Sequence, residues 1–245
     1  MTENDILTVA AAVSAPLSSA QAQALLRFRD LLVAWNERFN LTALTDDVSI
    51  LALHFTDSLT LVPELAAIQH AAKGASPLRV IDVGTGGGFP GVPLKVALPE
   101  LQMTLMDGTT KKVQFCDEVI RALGLDGIRT VHGRAEEAAH QPAHREHYDV
   151  VVARAVAPMQ TLAEYLLPFA RVGGMVIAMK GGDARVEADQ AAAAIEKLGG
   201  ELMSVKAVAL PGRDDKRALV ILRKVRPTPK LYPRQAGAPR KNPLH

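Results

Sequence analysis

The chain has 245 residues, 48% of them hydrophobic, with 28 basic against 26 acidic side chains and a formal net charge of +2. That length can bury a full α/β core with room for a small addition. The single cysteine, Cys116, excludes an internal disulfide and a cysteine zinc cluster. No basic-then-apolar leader opens the chain and Arg171 breaks the best apolar run, so a cytoplasmic protein without a membrane partner is expected.

Leu25, Phe28, Leu32, Trp35 and Phe39 recur at three- and four-residue steps, which predicts an amphipathic helix over 18–39, capped by Ser18 or Ser19. A second helix is predicted from Asp46 or Asp47, with Val48, Leu51, Phe55, Leu59 and Val62 on one face. These helices make residues 1–76 an N-terminal helical appendage packed on the core. Asn40 is expected to cap a helix end or fix a turn. His54 and Asp57, three residues apart, share a helix face and predict a packing hydrogen bond.

From residue 78 the pattern alternates. Strands are predicted near 78–83, 101–106, 127–132, 148–153 and 173–179, with helices near 91–98, 110–123, 158–169 and 184–198. Gly173-Gly174 and Gly199-Gly200 read as helix exits. Two last strands, 202–210 and 218–225, flank Pro211-Gly-Arg-Asp-Asp215, a hairpin signal. The pattern predicts an α/β core over 77–226, a mostly parallel seven-stranded sheet with one strand reversed in the C-terminal hairpin. The tail, 227–245, is proline-rich and predicted to be extended. Residues 223–245 hold seven bases and no acid, which suits a polyanion. Tyr232, among prolines and bases, is expected to lie on the protein or to grip a polyanion backbone. His140, His144 and His147 are read as solvated, and no metal site is expected.

The richest stretch is Val80-Ile-Asp-Val-Gly-Thr-Gly-Gly-Gly-Phe-Pro-Gly91, followed by Asp107 at the end of the next apolar run. Gly84 and Gly86 let the backbone approach a ligand closely. Two adjacent parallel strands would put Gly84 beside Asp107 at their carboxyl ends, where open α/β sheets bind ligands. A carboxylate there can grip a ribose, so an adenosine-containing cofactor is expected. Gly86–Gly91 also fits G-x-G-x-x-G, which keeps a nicotinamide-dependent oxidoreductase as the alternative. Asp82 within the strand and Pro90 and Pro93 at the helix start favour a cationic, phosphate-free donor, S-adenosyl-L-methionine, with Asp82 near its positive groups. Cys116 reads as a buried apolar residue.

A set of motifs extends along the chain: Trp35-Asn36 with Asn40-Leu-Thr-Ala43, His54-Phe-Thr-Asp-Ser-Leu59, the glycine stretch, Gly133-Arg-Ala-Glu136, Arg154-Ala155, Lys180-Gly181, Tyr232-Pro-Arg234 with Gly237, and Lys241-Asn-Pro-Leu244. Together they resemble the ribosomal small-subunit methyltransferase G family, also called glucose-inhibited division protein B. The resemblance implies a Rossmann-like class I methyltransferase fold. It also implies methyl transfer from S-adenosyl-L-methionine to N7 of a guanine in 16S ribosomal RNA. Carried over by position, the cofactor contacts are Gly84, Phe89, Asp107, Gly108, Thr109, Ala135, Glu136 and Arg154. Gly108-Thr-Thr-Lys-Lys112 departs from the usual segment after the acid. Arg154 is the catalytic candidate, expected to orient cofactor and RNA; Asn40, Arg134, Lys180, Arg234 and Lys241 are expected RNA contacts, and tail deletion is expected to weaken RNA binding while donor affinity persists. The implied partner is small-subunit ribosomal RNA or the assembling subunit, not DNA, with the protein a monomer. A non-catalytic ribosome-binding factor on the same scaffold is the further alternative.

Overall fold

A computed structural model describes residues 1–72, 76–154 and 157–244. Its strands are β1 (Arg79–Val83), β2 (Gln102–Asp107), β3 (Ile128–His132), β4 (Tyr148–Arg154), β5 (Ala170–Gly181), β6 (Gly200–Val208) and β7 (Arg217–Lys224). They form one sheet in the order β3-β2-β1-β4-β5-β7-β6. β7 runs antiparallel to β5 and β6, and the other pairs are parallel. Central strands such as Val150–Ala153 are apolar throughout because helices cover both faces. The register aligns Val83 with Met106, Asp107 with His132 and Arg154 with Met179, so these residues share the carboxyl rim. The strand order reverses between β1 and β4, which opens a crevice there.

The helix Ser19–Phe39 starts at Ser18, whose hydroxyl accepts from Gln21 N while Gln21 answers the Ser18 amide. Leu25, Phe28 and Leu32 are fully buried on its inner face. A helical run, Asp47–Ala71, follows the Asp46 cap. It is long and apolar enough to cross a membrane, yet it is packed into the molecule, with Phe55, Leu59, Leu61 and Leu65 fully buried. Its stretch Ile50–Thr56 is π-helical. The wider turn rotates the preceding residues out of phase. Val48, expected on the inner face, is therefore 74% exposed. Phe28 stacks on Phe89 at 4.9 Å and lies 5.8 Å from Phe55, so the N-terminal helices and the glycine turn share one core.

Four further expectations change. An additional helix, Glu3–Ala12, is capped by a Thr2–Asp5 box and buries Ile6 and Ala10. Gly173 and Gly174 lie inside β5, where the register with β4 slips after Tyr148. A Cβ on Gly174 would sit 2.9 Å from the Arg171 and Asp149 carbonyl oxygens, so only glycine fits this bulge. The helix predicted over 184–198 is two, Ala184–Gln190 and Ala192–Lys197. The tail folds back on the core, where Tyr232 is buried beneath Lys197.

Candidate functional site

The site begins where β1 ends. Gly84 N and Thr85 N both donate to Met106 O, which stitches the turn to β2. Gly84 and Gly86 have φ of 77° and 59°, conformations that favour glycine. Asp107 locks the turn: its Oδ2 accepts from Gly86 N at 3.0 Å and its Oδ1 from Thr109 N at 2.8 Å. Each carboxylate oxygen retains a second lone pair. A cleft of about 300 Å³ opens above, lined among others by Gly84, Asp107, Arg134, Glu136, Tyr165 and Arg240. Gly108, Thr109 and Ala135 also border it. A Cβ at Gly133 would meet nothing within 4 Å, and one at Gly108 would reach only Arg134 and Gly133 O, at 3.7 and 3.8 Å. Bare backbone thus leaves room for a flat ligand, which is what an adenosyl group requires.

Asp82 does not border this cleft. It is fully buried behind the turn, where Oδ2 accepts from Thr85 Oγ1 at 2.7 Å and Gly91 N at 2.9 Å. Its Oδ1 has no hydrogen-bond partner, and burial pushes its pKa up to about 6. A Cβ on Gly91 would meet Leu105 at 2.2 Å, so Asp82 fastens the helix Gly91–Ala97 at its closest approach to the sheet. Cys116 lies beneath the same turn, its thiol 3.8 Å from Gly86 O. Burial pushes that thiol up, away from the thiolate a nucleophile needs.

Arg154 lines a second cleft of about 270 Å³, with Leu44, Leu53, His54, Asp57, Met179, Lys180, Gly181 and Arg217. The two clefts share a wall, because Lys180 Nζ holds the carbonyl of Ala157, which borders the first. Arg154 donates to Leu53 O at 2.7 Å and Asp57 Oδ2 at 3.3 Å, and meets His54 Nδ1 at 3.0 Å. Its guanidinium lies 5.1 Å from the Phe89 ring centroid. His54 stacks on the other partner of this group, Phe89, at 4.2 Å. Burial and the Arg154 charge lower the His54 pKa to about 3, so the ring is neutral at physiological pH and accepts from Arg154. The expected packing role of His54 and Asp57 is therefore a clasp on a strand end rather than a bond between the two. Thr42, within the Asn40–Ala43 motif but not singled out as a site residue, hydrogen-bonds His54 Nε2 at 2.9 Å and has its own amide held by Asn36 Oδ1. Asn40 ends the helix in the left-handed conformation, φ 48°, as the turn reading expected.

The other candidates separate by exposure. Asn40, Arg134 and Lys241 stand exposed. Lys180 pairs with Glu187 at 2.8 Å, and Arg234 forms a fork on buried Glu164, with contacts of 2.7–3.2 Å. The three histidines read as solvated are engaged: His140 with Pro233 O, His144 with the Tyr148 hydroxyl and His147 near Arg79. Among the described residues no group of His, Cys, Asp and Glu could hold a metal. Ala155 lies outside the described residues.

With β7 running against its neighbours, the sheet is that of a Rossmann-like class I methyltransferase rather than an all-parallel dinucleotide-binding sheet. A structure described as a SAM dependent methyltransferase from Aquifex aeolicus shares this fold, with TM-score 0.52 and 19% identity, covering 74% of this chain and 95% of that one. The model of the family described as rRNA small subunit methyltransferase G (GidB) matches residues 21–219. Relatives named Ribosomal RNA small subunit methyltransferase G include those of Symbiobacterium thermophilum, 48% identical over 91% of this chain and 89% of the relative, and Dehalococcoides mccartyi (strain CBDB1), 44% identical over 98% and 99%. The chain belongs to the rRNA small subunit methyltransferase G family, and it is an enzyme.

Proposed function

We propose that the protein transfers the methyl group of S-adenosyl-L-methionine to N7 of a guanine in 16S ribosomal RNA. The observation that carries this is Asp107, fixed by the Gly86 and Thr109 amides at the rim of a glycine-walled cleft in a methyltransferase sheet. The donor supplies an electrophilic methyl group on a sulfonium. Asp107 accepts from the ribose hydroxyls, the 84–86 turn takes the amino-acid end, and Ala135 and Glu136 border the adenine.

Guanine N7 carries a free lone pair, so the site's work is alignment rather than proton abstraction. The residues agree with that demand: His54 is held neutral by burial and the Arg154 charge, and Cys116 is buried. The second cleft takes the base. Arg154 is a positioning residue there, joining the helical run Asp47–Ala71 to the end of β4 and lying over Phe89, which is buried in the aromatic core and lines neither cleft. Asn40, Arg134 and Lys241 are the proposed RNA contacts. Lys180 and Arg234 would reach phosphate only by exchanging Glu187 and Glu164 for it.

The test is incubation of the protein with labelled donor and either small subunits or stripped 16S RNA, followed by nucleoside mapping. Label in 7-methylguanosine is the expected result. Label in another nucleoside, or none in either substrate, rejects the proposal. The same assay identifies whether the assembled subunit or free RNA is the partner.

A further inference from the structure

The tail was expected to be independent of the donor cleft, yet it is built into it. Gly237 N donates to Glu136 Oε1 at 2.9 Å, and Glu136, 7% exposed, is a lining residue of the cleft. The Tyr165 hydroxyl engages the same carboxylate, and Tyr165 and Arg240 complete the lining. Arg240 itself is exposed, which puts it at the mouth. The segment is clamped in place from several directions. Arg234 grips fully buried Glu164, Thr161 Oγ1 donates to Pro239 O at 3.2 Å, and Arg145 donates to the Thr228 and Tyr232 carbonyls at 2.8 and 2.9 Å. His140 adds a bond of 2.7 Å to Pro233 O. These contacts hold the tail, which ends in the short helix Ala238–Lys241, in one path, so the groups it delivers are preorganised.

From this we infer that residues 237–240 form part of the methyl-donor site. Gly237 orients the Glu136 carboxylate toward the adenine end, and Arg240 covers the adenosyl group with its planar guanidinium. The inference rests on the donor reading of the cleft. A guanidinium lies flat on an aromatic face, whereas an ammonium offers only a point charge. Arg240→Lys therefore separates this role from simple attraction to RNA phosphate, which either cation satisfies.

Calorimetry of the full-length protein with S-adenosyl-L-methionine and with S-adenosylhomocysteine gives the test. Arg240→Ala should weaken both by roughly fivefold, and Arg240→Lys by nearly as much. Melting temperatures should stay at the unaltered value. A chain ending at residue 236, which keeps the Arg234–Glu164 fork, should lose more than either point variant. Unchanged donor affinity in Arg240→Ala, or full recovery in Arg240→Lys, overturns the assignment. If the unaltered protein binds neither compound, the donor reading itself falls and this inference with it.

Discussion

Two aspartates at consecutive strand ends do opposite work. Asp107 faces the cleft and answers two amides, so removing it strips the turn as well as the proposed ribose acceptor. Asp107→Ala should weaken donor binding by about 1.5–3 kcal/mol, the range for hydrogen bonds to a charged group. Calorimetry checks this, and donor affinity within twofold of the unaltered protein would exclude the ribose role. Asp82 is sealed in, with its pKa raised to about 6 from 3.8. Between those values the folded state holds a proton that the unfolded state has released. Stability therefore falls as pH rises from near 4 through 6, by about 3 kcal/mol, and stays lower above. Asp82→Asn should flatten that slope in denaturant titrations at pH 4 to 7. An unchanged slope would assign the pH dependence to other groups. The glycine turn and both acids were legible in the sequence, because few other patterns put carboxylates at two successive strand ends. Their division of labour was not, since which side of a strand faces the cleft depends on the helix packed behind it.

At the scale of elements, the helical run Asp47–Ala71 and β4 are joined by one arginine. Arg154 was expected to orient cofactor and RNA; the structure makes it a structural tie as well, with its side chain 14% exposed and three partners on the helix. Arg154→Ala leaves the Asp57 carboxylate buried without its cation. The expected cost is about 3 kcal/mol, the low end for breaking a buried pair. A denaturant midpoint unchanged by Arg154→Ala would show that Asp57 finds water instead. Turnover should be reported per folded molecule, so that the loss of alignment can be read apart from the loss of fold. Element boundaries were readable where caps are explicit, as at Ser18 and Asp46. They were not where backbone irregularity intervenes. The π-helical turn displaced Val48, and the β5 bulge turned an expected helix exit at Gly173-Gly174 into a strand. Both irregularities are set by tertiary contacts that local spacing does not encode.

At the scale of the molecule, the alternation of strands and helices announced the sheet and its reversed strand, and the motif order announced the family. The tail was misjudged because its composition resembles a solvated arm. Lys224 and Arg234, counted among the bases of 223–245, are internal partners: Lys224 is fully buried against the Leu167 carbonyl, and Arg234 meets Glu164. Charge available to RNA is correspondingly less than the sequence total suggests.

The lone thiol of Cys116, tucked under Gly86, gives the molecule a built-in stopwatch. A disulfide reagent can reach it only when the glycine turn lifts away from the helix Thr110–Leu123, so the labelling rate under native conditions counts those excursions. Labelling should run at least about tenfold slower than for the denatured chain, and saturating S-adenosyl-L-methionine should slow it again by mass action. A rate indifferent to the donor would mean that the turn opens as readily when occupied as when empty.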